Sequence, residues 1–245
     1  MKNKLLKAGL CALALSLSIP AVPAAAQEIN SIYFTPKIIY SHQKGDPGKG
    51  KWHNGGWVNS TLGGEEEDDT FTFGAALGVD MGYYYDLPVR VEAEYIYHGK
   101  AEFSQGPTTV LLQNGNVGSA SHSFKVKAHS LMANAFYDFQ NDSLFTPYLG
   151  FGLGLAYLDT KYKANTFNGG SYSGSTSHDQ VNFAWNVGGG VAYSFSDTMA
   201  LDLGYRYLDL GEAKTGSITQ GGFSGSNKID YTAHQFSVGV RFSGF

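Results

Sequence analysis

The residues of this chain that could do chemistry are few, and their spacing decides what each can do. Hydrolysis by a hydroxyl and an imidazole needs both groups on one surface. On an extended chain that means positions two apart, because adjacent residues point to opposite faces. His129-Ser130 and Ser121-His122 are adjacent, hence wrongly spaced. Thr232 and His234 share a face, but a lone pair of that kind reads as interfacial polar decoration. The GxSxG elbow, the glycine-rich phosphate loop and HExxH are missing, so no catalytic residue, cofactor or metal ligand is assigned. The acidic run EEEDD at 65–69 offers the carboxylate oxygens that a divalent cation prefers, yet reads first as a solvated loop segment. Trp52 and Trp57, in KGKWHNGGW, could anchor a partner or lie back on a membrane interface.

The elements that would position these residues are legible from parity. From Phe71 to Tyr83 the odd positions are Phe71, Phe73, Ala75, Leu77, Val79, Met81 and Tyr83, and the even ones are Thr72, Gly74, Ala76, Gly78, Asp80 and Gly82. That is a period of two, the mark of a strand with unlike faces. Val89 to Tyr97, Phe145 to Tyr157, Val181 to Phe195 and Met199 to Tyr207 follow the same rule, as do Ile32 to Ser41 and Tyr231 to Phe242. In an eighth segment, about 124–139, Leu131, Ala133, Ala135, Tyr137 and Phe139 keep step, while Lys125, Lys127 and His129 fall on the same side. Its first part either projects beyond an apolar zone or contains a bulge. Pro36 removes a ladder donor and predicts a second bulge. Asp86-Leu87-Pro88, Asn141-Asp142-Ser143 and Ser196-Asp197-Thr198 make tight turns. Long polar links lie between them, at about 43–69, 103–121, 163–179 and 211–228.

Residues 1–26 carry Lys2, Lys4 and Lys7 before an apolar run and end on small residues, which predicts a secretory signal cut between Ala26 and Gln27. The only cysteine, Cys11, lies inside it, after Leu10 where a lipoprotein site would want a small residue. Without the leader the chain keeps 14 basic and 21 acidic residues, a formal charge of −7, which disfavours a nucleic-acid partner. No later stretch approaches the ~20 apolar residues of a spanning helix, so a membrane would be crossed with strands.

Alternation alone does not say which face is outside, since a soluble barrel with an apolar interior shows the same period. Volume decides. An eight-stranded barrel is just wide enough for side chains to fill, and five or more large residues per strand would overfill it. The small set therefore points inward, including Gly150, Gly152 and Gly154 of PYLGFGLGLAY. Leu149, Phe151, Leu153, Leu155, Phe183 and Trp185 then face lipid. The inward set also carries Lys37, Asp80, Arg90, Glu92, Glu94, Asp202, Arg206 and Arg241, whose charges must pair in so narrow a space. Tyrosines near the strand ends, such as Tyr95, Tyr97, Tyr157, Tyr193, Tyr205 and Tyr207, fit interfacial girdles. The fold class is all-β: an eight-stranded antiparallel transmembrane barrel with short periplasmic turns and four long extracellular loops. A lumen filled with paired charge is a plug, and the alternative is a narrow porin lined by charge.

PYLGFGLGLAY (147–157), HSLMANAFYDF (129–139), LGYRYLDLG (203–211) and HQFSVGVRFSGF (234–245) together resemble the opacity-protein type of outer-membrane barrel. The resemblance covers residues 27–245 and implies a small Gram-negative surface protein, with host-cell adhesion in some members. It implies contact with outer-membrane lipid and lipopolysaccharide, a host or surface ligand on the loops, and the barrel-assembly machinery. That machinery reads a terminal aromatic. Here Phe236, Val238, Val240 and Phe242 are in phase while Phe245 is out by one, so either Ser243-Gly244 bulges or Phe242 is the functional end. The expected role is non-enzymatic, in surface contact, adhesion or envelope integrity.

Overall fold

The structure is a computed structural model. It describes residues 31–46, 50–54, 56–60, 66–111, 117–167, 171–215, 218–220, 223–226 and 228–244. Twelve strands follow in chain order. They are β1 (Ile32–Asp46), β2 (Gly50–Asn54), β3 (Gly56–Ser60), β4 (Glu66–Asp80), β5 (Val89–Leu111), β6 (Val117–Asp138), β7 (Phe145–Phe167), β8 (Ser171–Ser196), β9 (Met199–Lys214), β10 (Ile218–Gln220), β11 (Phe223–Ser226) and β12 (Lys228–Ser243). Eight of them close an antiparallel barrel in the order β1, β12, β9, β8, β7, β6, β5, β4, and β10, β11, β2 and β3 form a small separate sheet. Closure pairs every barrel edge, which is what lets strands cross hydrocarbon without unsatisfied backbone groups.

Side chains alternate across the wall as the parity rule requires. On β7, Leu149, Phe151, Leu153 and Leu155 are exposed on the outside while Gly152, Ala156 and Leu158 are buried inside. Phe183 shows 62% of its surface outward. Trp185 is on the same face, its ring centroid 5.5 Å from that of Tyr207. The small inward residues are required by what they face. A Cβ on Gly154 would lie 2.2 Å from the Leu131 carbonyl oxygen, and one on Gly152 would lie 1.9 Å from Asn134 Oδ1.

Several expectations need correction. The long polar links are mostly strand: β5 reaches Leu111 and β6 resumes at Val117, while β7 reaches Phe167 and β8 resumes at Ser171. Polar, glycine-rich composition had suggested loops, but a strand standing in water needs no lipid-facing bulk. Pro36 causes no bulge, because β1 keeps one register on both neighbours across it. β6 has no irregularity against β7, so of the two readings its first part projects beyond the apolar zone; the offsets lie on β5, between Tyr97 and Lys100 and between Gln105 and Thr108. β4 ends at Asp80, and Tyr83 sits in a helical turn, α1 (Gly82–Tyr85), closed by Asp86 in the left-handed region with φ 55°.

At the other end, β12 pairs regularly through Ser243 opposite Tyr33, and Phe242 shares the outward parity of Phe236 and Val238. Phe245, Ala26, Gln27 and Glu65 lie outside the described residues. The side chains of Trp52 and Trp57 are likewise outside what is described.

Candidate functional site

Three layers could carry function: the lumen, the aromatic ring around the outside, and the collar of strand beyond that ring. In the lower lumen, Lys37 donates to Glu92 Oε2 at 3.1 Å and to Glu94 Oε1 at 3.0 Å. Arg206 Nη1 donates to Glu94 Oε2, which also accepts from Asn134 Nδ2 at 3.1 Å. Arg90 makes a two-pronged contact with Asp138, 2.6 Å from Nε and 2.9 Å from Nη2, and lies over the Phe136 ring at 5.0 Å. Asp202 accepts from Tyr148 at 2.5 Å and from Arg241 at 2.6 Å.

Strand geometry explains this meeting. The participants sit on inward positions of β1, β5, β6, β7, β9 and β12, so one narrow axis collects them all. The structure brings together Lys37, Arg90, Glu92, Glu94, Asp202, Arg206 and Arg241. It does not add Asp80, whose carboxylate instead accepts from the Gly82 backbone N–H at 2.8 Å and holds the turn. Asp138 takes the place in the network that sequence reasoning gave to Asp80. Its signal was available: with Tyr137 and Phe139 outside, position 138 has to be inside. Tyr33, Asn134, Tyr148, Asn186 and Gln235 were missed for a different reason, since neutral polar groups leave no charge to balance.

Above the network the lumen turns apolar. Phe103, Phe124, Val126, Ala128, Met132, Leu158, Tyr162, Leu208, Leu210, Ile229 and Tyr231 form one buried cluster, with the Phe124 and Tyr162 rings 4.6 Å apart. Glu94 and Ile96 are 0% exposed and Arg90 1%, so these side chains are out of contact with bulk water. The open space left within the network is about 40 Å³, bounded by Lys37, Glu94, Asn186 and Arg206 among others. That is room for about three waters.

Around the outside, Tyr40, Phe71, Tyr95, Tyr97, His129, Tyr157, Tyr205, Tyr207 and His234 make the upper aromatic ring. His129 Nδ1 is 2.7 Å from the Tyr95 hydroxyl and His234 Nδ1 is 2.8 Å from that of Tyr205. Both imidazoles are thus engaged by phenols. His42, next to His234 across β1 and β12, has Asp69 Oδ1 at 2.7 Å from Nδ1 and Glu67 Oε1 at 3.5 Å from Nε2. Two carboxylates facing one ring favour its cation, and the bond to Asp69 raises its pKa above the ordinary imidazole value.

Beyond the ring the eight barrel strands continue as the collar, and the acidic run belongs to it. Glu67, Asp68 and Asp69 lie on β4 and are not loop residues; Glu67 pairs with Lys44 at 3.1 Å and Asp68 accepts from the Glu102 backbone N–H at 2.9 Å. On β5, Glu102 sits between Lys100 and Lys125, 3.0 Å from the latter. The collar wall is ionic outside and largely hydrocarbon inside, where Gln43 and Thr160 are buried beside the apolar cluster.

A family model described as the outer membrane protein β-barrel domain matches residues 10–242. Outer membrane protein PagN of Salmonella typhimurium is 29% identical over 180 residues, covering 71% of this chain and 72% of that protein. A putative adhesin of Rickettsia canadensis is 27% identical over 170 residues, covering 68% and 73%. The crystal structure of Neisserial surface protein A is similar at 20% identity and a TM-score of 0.46, covering 86% of this chain and 96% of that one.

Proposed function

The chain belongs to the outer membrane protein β-barrel domain family, and from that premise we propose a non-enzymatic surface protein of the Gram-negative outer membrane that acts by adhesion. The collar and the loops above it make the contact, and the barrel holds them clear of the lipid. One observation carries this reading: the lumen is filled at both levels, by a paired ionic network below and a hydrocarbon cluster above. A narrow porin would leave its lining wet, whereas Glu94 has no exposed surface. The relatives named as PagN and as a putative adhesin support the same direction.

Hydrolysis is disfavoured by the company the imidazoles of His42, His98, His129 and His234 keep; His98 Nε2 lies 2.8 Å from Ser130 Oγ, but that pair is buried in the lumen away from any substrate. His129 and His234 are held by phenols, and His42 by two carboxylates. None of these three has the hydroxyl-imidazole-carboxylate order that activates a nucleophile.

The test is gain and loss of attachment. Displayed by a non-adherent Gram-negative host, the full chain should confer attachment to cultured cells or surfaces. Replacing 47–65 and 216–227 with short Gly-Ser connectors should abolish it while heat-modifiable gel mobility shows the barrel still folded. Unchanged attachment after that replacement, or reproducible conductance steps in a planar bilayer, would overturn the proposal.

A further inference from the structure

We propose that the outer wall of β6 and β7, just beyond the aromatic ring, binds the phosphate groups of lipopolysaccharide in the outer leaflet. Lys125 on β6 is directly opposite Lys161 on β7. Lys127 lies two residues closer to the membrane on β6, and Lys163 two residues further out on β7. All four have the outward parity of Leu131 and Leu155, and Lys127, Lys161 and Lys163 are exposed. Opposed like charges on adjacent strands cost stability. Carboxylates elsewhere in the collar offset that cost. Here Lys125 shares Glu102 with Lys100, and among the described residues Lys127, Lys161 and Lys163 form no ion pair. Asp159, opposite both Lys127 and Asp179, bonds to neither of them.

The position of the lysines selects the occupant. Going down the same two strands from Lys125 and Lys161, the outward pairs are Lys127 with Asp159, His129 with Tyr157, Leu131 with Leu155, Ala133 with Leu153, Ala135 with Phe151 and Tyr137 with Leu149. One continuous strip thus presents acyl-compatible side chains, then an aromatic and imidazole row, then ammonium groups. At ~3.3 Å per residue, the Lys127 row stands about 7 Å and the Lys125–Lys161 row about 13 Å along the strands from the His129–Tyr157 row. An amphiphile whose acyl chains lie on Leu153 and Leu155 would bring its phosphates to these ammonium groups.

Across the barrel the collar differs in kind. On β1, β4, β9 and β12, Glu67 and Glu212 are paired with Lys44 and Lys228, and Asp69 with His42. Each cation there has a carboxylate within ion-pair distance, Lys214 and Lys228 sharing Glu212, whereas Lys127, Lys161 and Lys163 have none among the described residues, so the phosphate surface is one-sided.

This inference rests on outer-membrane placement with the collar outward, and not on adhesion. The test uses the full folded chain in zwitterionic detergent, with native mass spectrometry reading retained bisphosphorylated lipid A against lipid A stripped of its phosphates. Wild type should favour the phosphorylated form by about tenfold or more. The K125Q/K127Q/K161Q/K163Q variant should lose that preference and keep its heat-modifiable mobility. Should it fail to fold, K125Q/K161Q alone is the variant read. The opposite-side variant K44Q/K214Q/K228Q should behave as wild type.

A lysine variant that keeps the wild-type preference for the phosphorylated form, an opposite-side variant that loses it to the same extent, or displacement by inorganic phosphate at concentrations like those of lipid A would each overturn the site. Attachment retained by the lysine variant, with lipid preference lost, would support the site independently of the adhesive role.

Discussion

Inside the membrane the barrel carries bulk outward and charge inward, and in the collar the same eight strands carry charge outward and bulk inward. Phe73, Leu131 and Leu153 cover the membrane wall around Lys37, Glu94 and Arg206, while Lys100, Glu102 and Lys161 cover the collar around Phe103, Phe124 and Tyr231. The wall is one closed hydrogen-bonded sheet throughout. What changes is the solvent outside it. Hydrocarbon accepts no ionic wall, so the few charges that give the lumen its fixed, paired packing are held at the axis. Water outside the collar reverses the preference, and burying apolar surface again becomes the driving force.

The reversal is partly mechanical. Between Tyr97 and Lys100, β5 carries one residue more than β6, and Gly99 there has φ +72°. Without that extra residue, Lys100 and Glu102 would point inward and Ala101 and Phe103 outward. On β9, Gly211 with φ +75° accompanies the corresponding shift against β12. A glycine bulge moves an entire strand segment to the other face. The remaining barrel strands make the exchange through composition alone.

The comparison breaks most visibly at Glu94. Glu94→Ala leaves Arg206 without its carboxylate and Lys37 with Glu92 alone, and removing one partner of a buried pair costs about 3–5 kcal/mol. Glu102→Ala removes an equally bonded carboxylate from the wet wall, where such pairs contribute little. Urea unfolding in detergent, followed by gel mobility, should show a large loss for the first and no shift for the second. Similar losses for both would mean that the two environments are energetically alike.

A smaller effect is expected at Gly99. Gly99→Ala places a side chain in the left-handed region at a cost of roughly 1–2 kcal/mol, and its Cβ would meet Thr70 Cγ2 at 3.0 Å. The same substitution at Gly45, which has no positive φ and only side-chain contacts at 3.1–3.2 Å, should cost less. If Gly99→Ala is neutral in the same assay, the bulge does not hold the exchange of faces.

The contrast also explains what could be read from residues alone. The membrane segments were legible because lipid, bulk and period two leave one solution, as at Phe71–Leu77 and Leu149–Leu155. The charged lumen followed from volume, except where Asp80 serves its own turn and Asp138 takes its place. The collar was not legible, because Ser, Asn, Gly and Lys in extended strands resemble loop. Its interior, from Phe103 to Tyr231, went unnoticed for lack of an apolar run. Bulges at Gly99 and Gly211 hid the continuity further, since a parity count fails at each of them.

The smallest expected effect lies where the two regions meet, at His42. Its bond to Asp69 raises the imidazole pKa, and the same bond, followed by that from Tyr40, lowers the pKa of Asp69. The signs are opposite and define a window. A raised histidine contributes fully below its unfolded value of about 6.5 and loses that contribution as pH rises through its folded value. A lowered aspartate contributes above its unfolded value of about 3.9 and loses it as pH falls through its folded value. The pair is therefore strongest between roughly pH 4 and 6.5 and weakens on the alkaline side when His42 is deprotonated. Both groups are solvated, so the change in stability is slight and a direct titration is the better measurement. By NMR, His42 should titrate above about 6.5, and Asp69→Asn should bring it back toward that value. A wild-type His42 titrating at or below its ordinary value would show that Asp69 and Glu67 face water more than they face the ring.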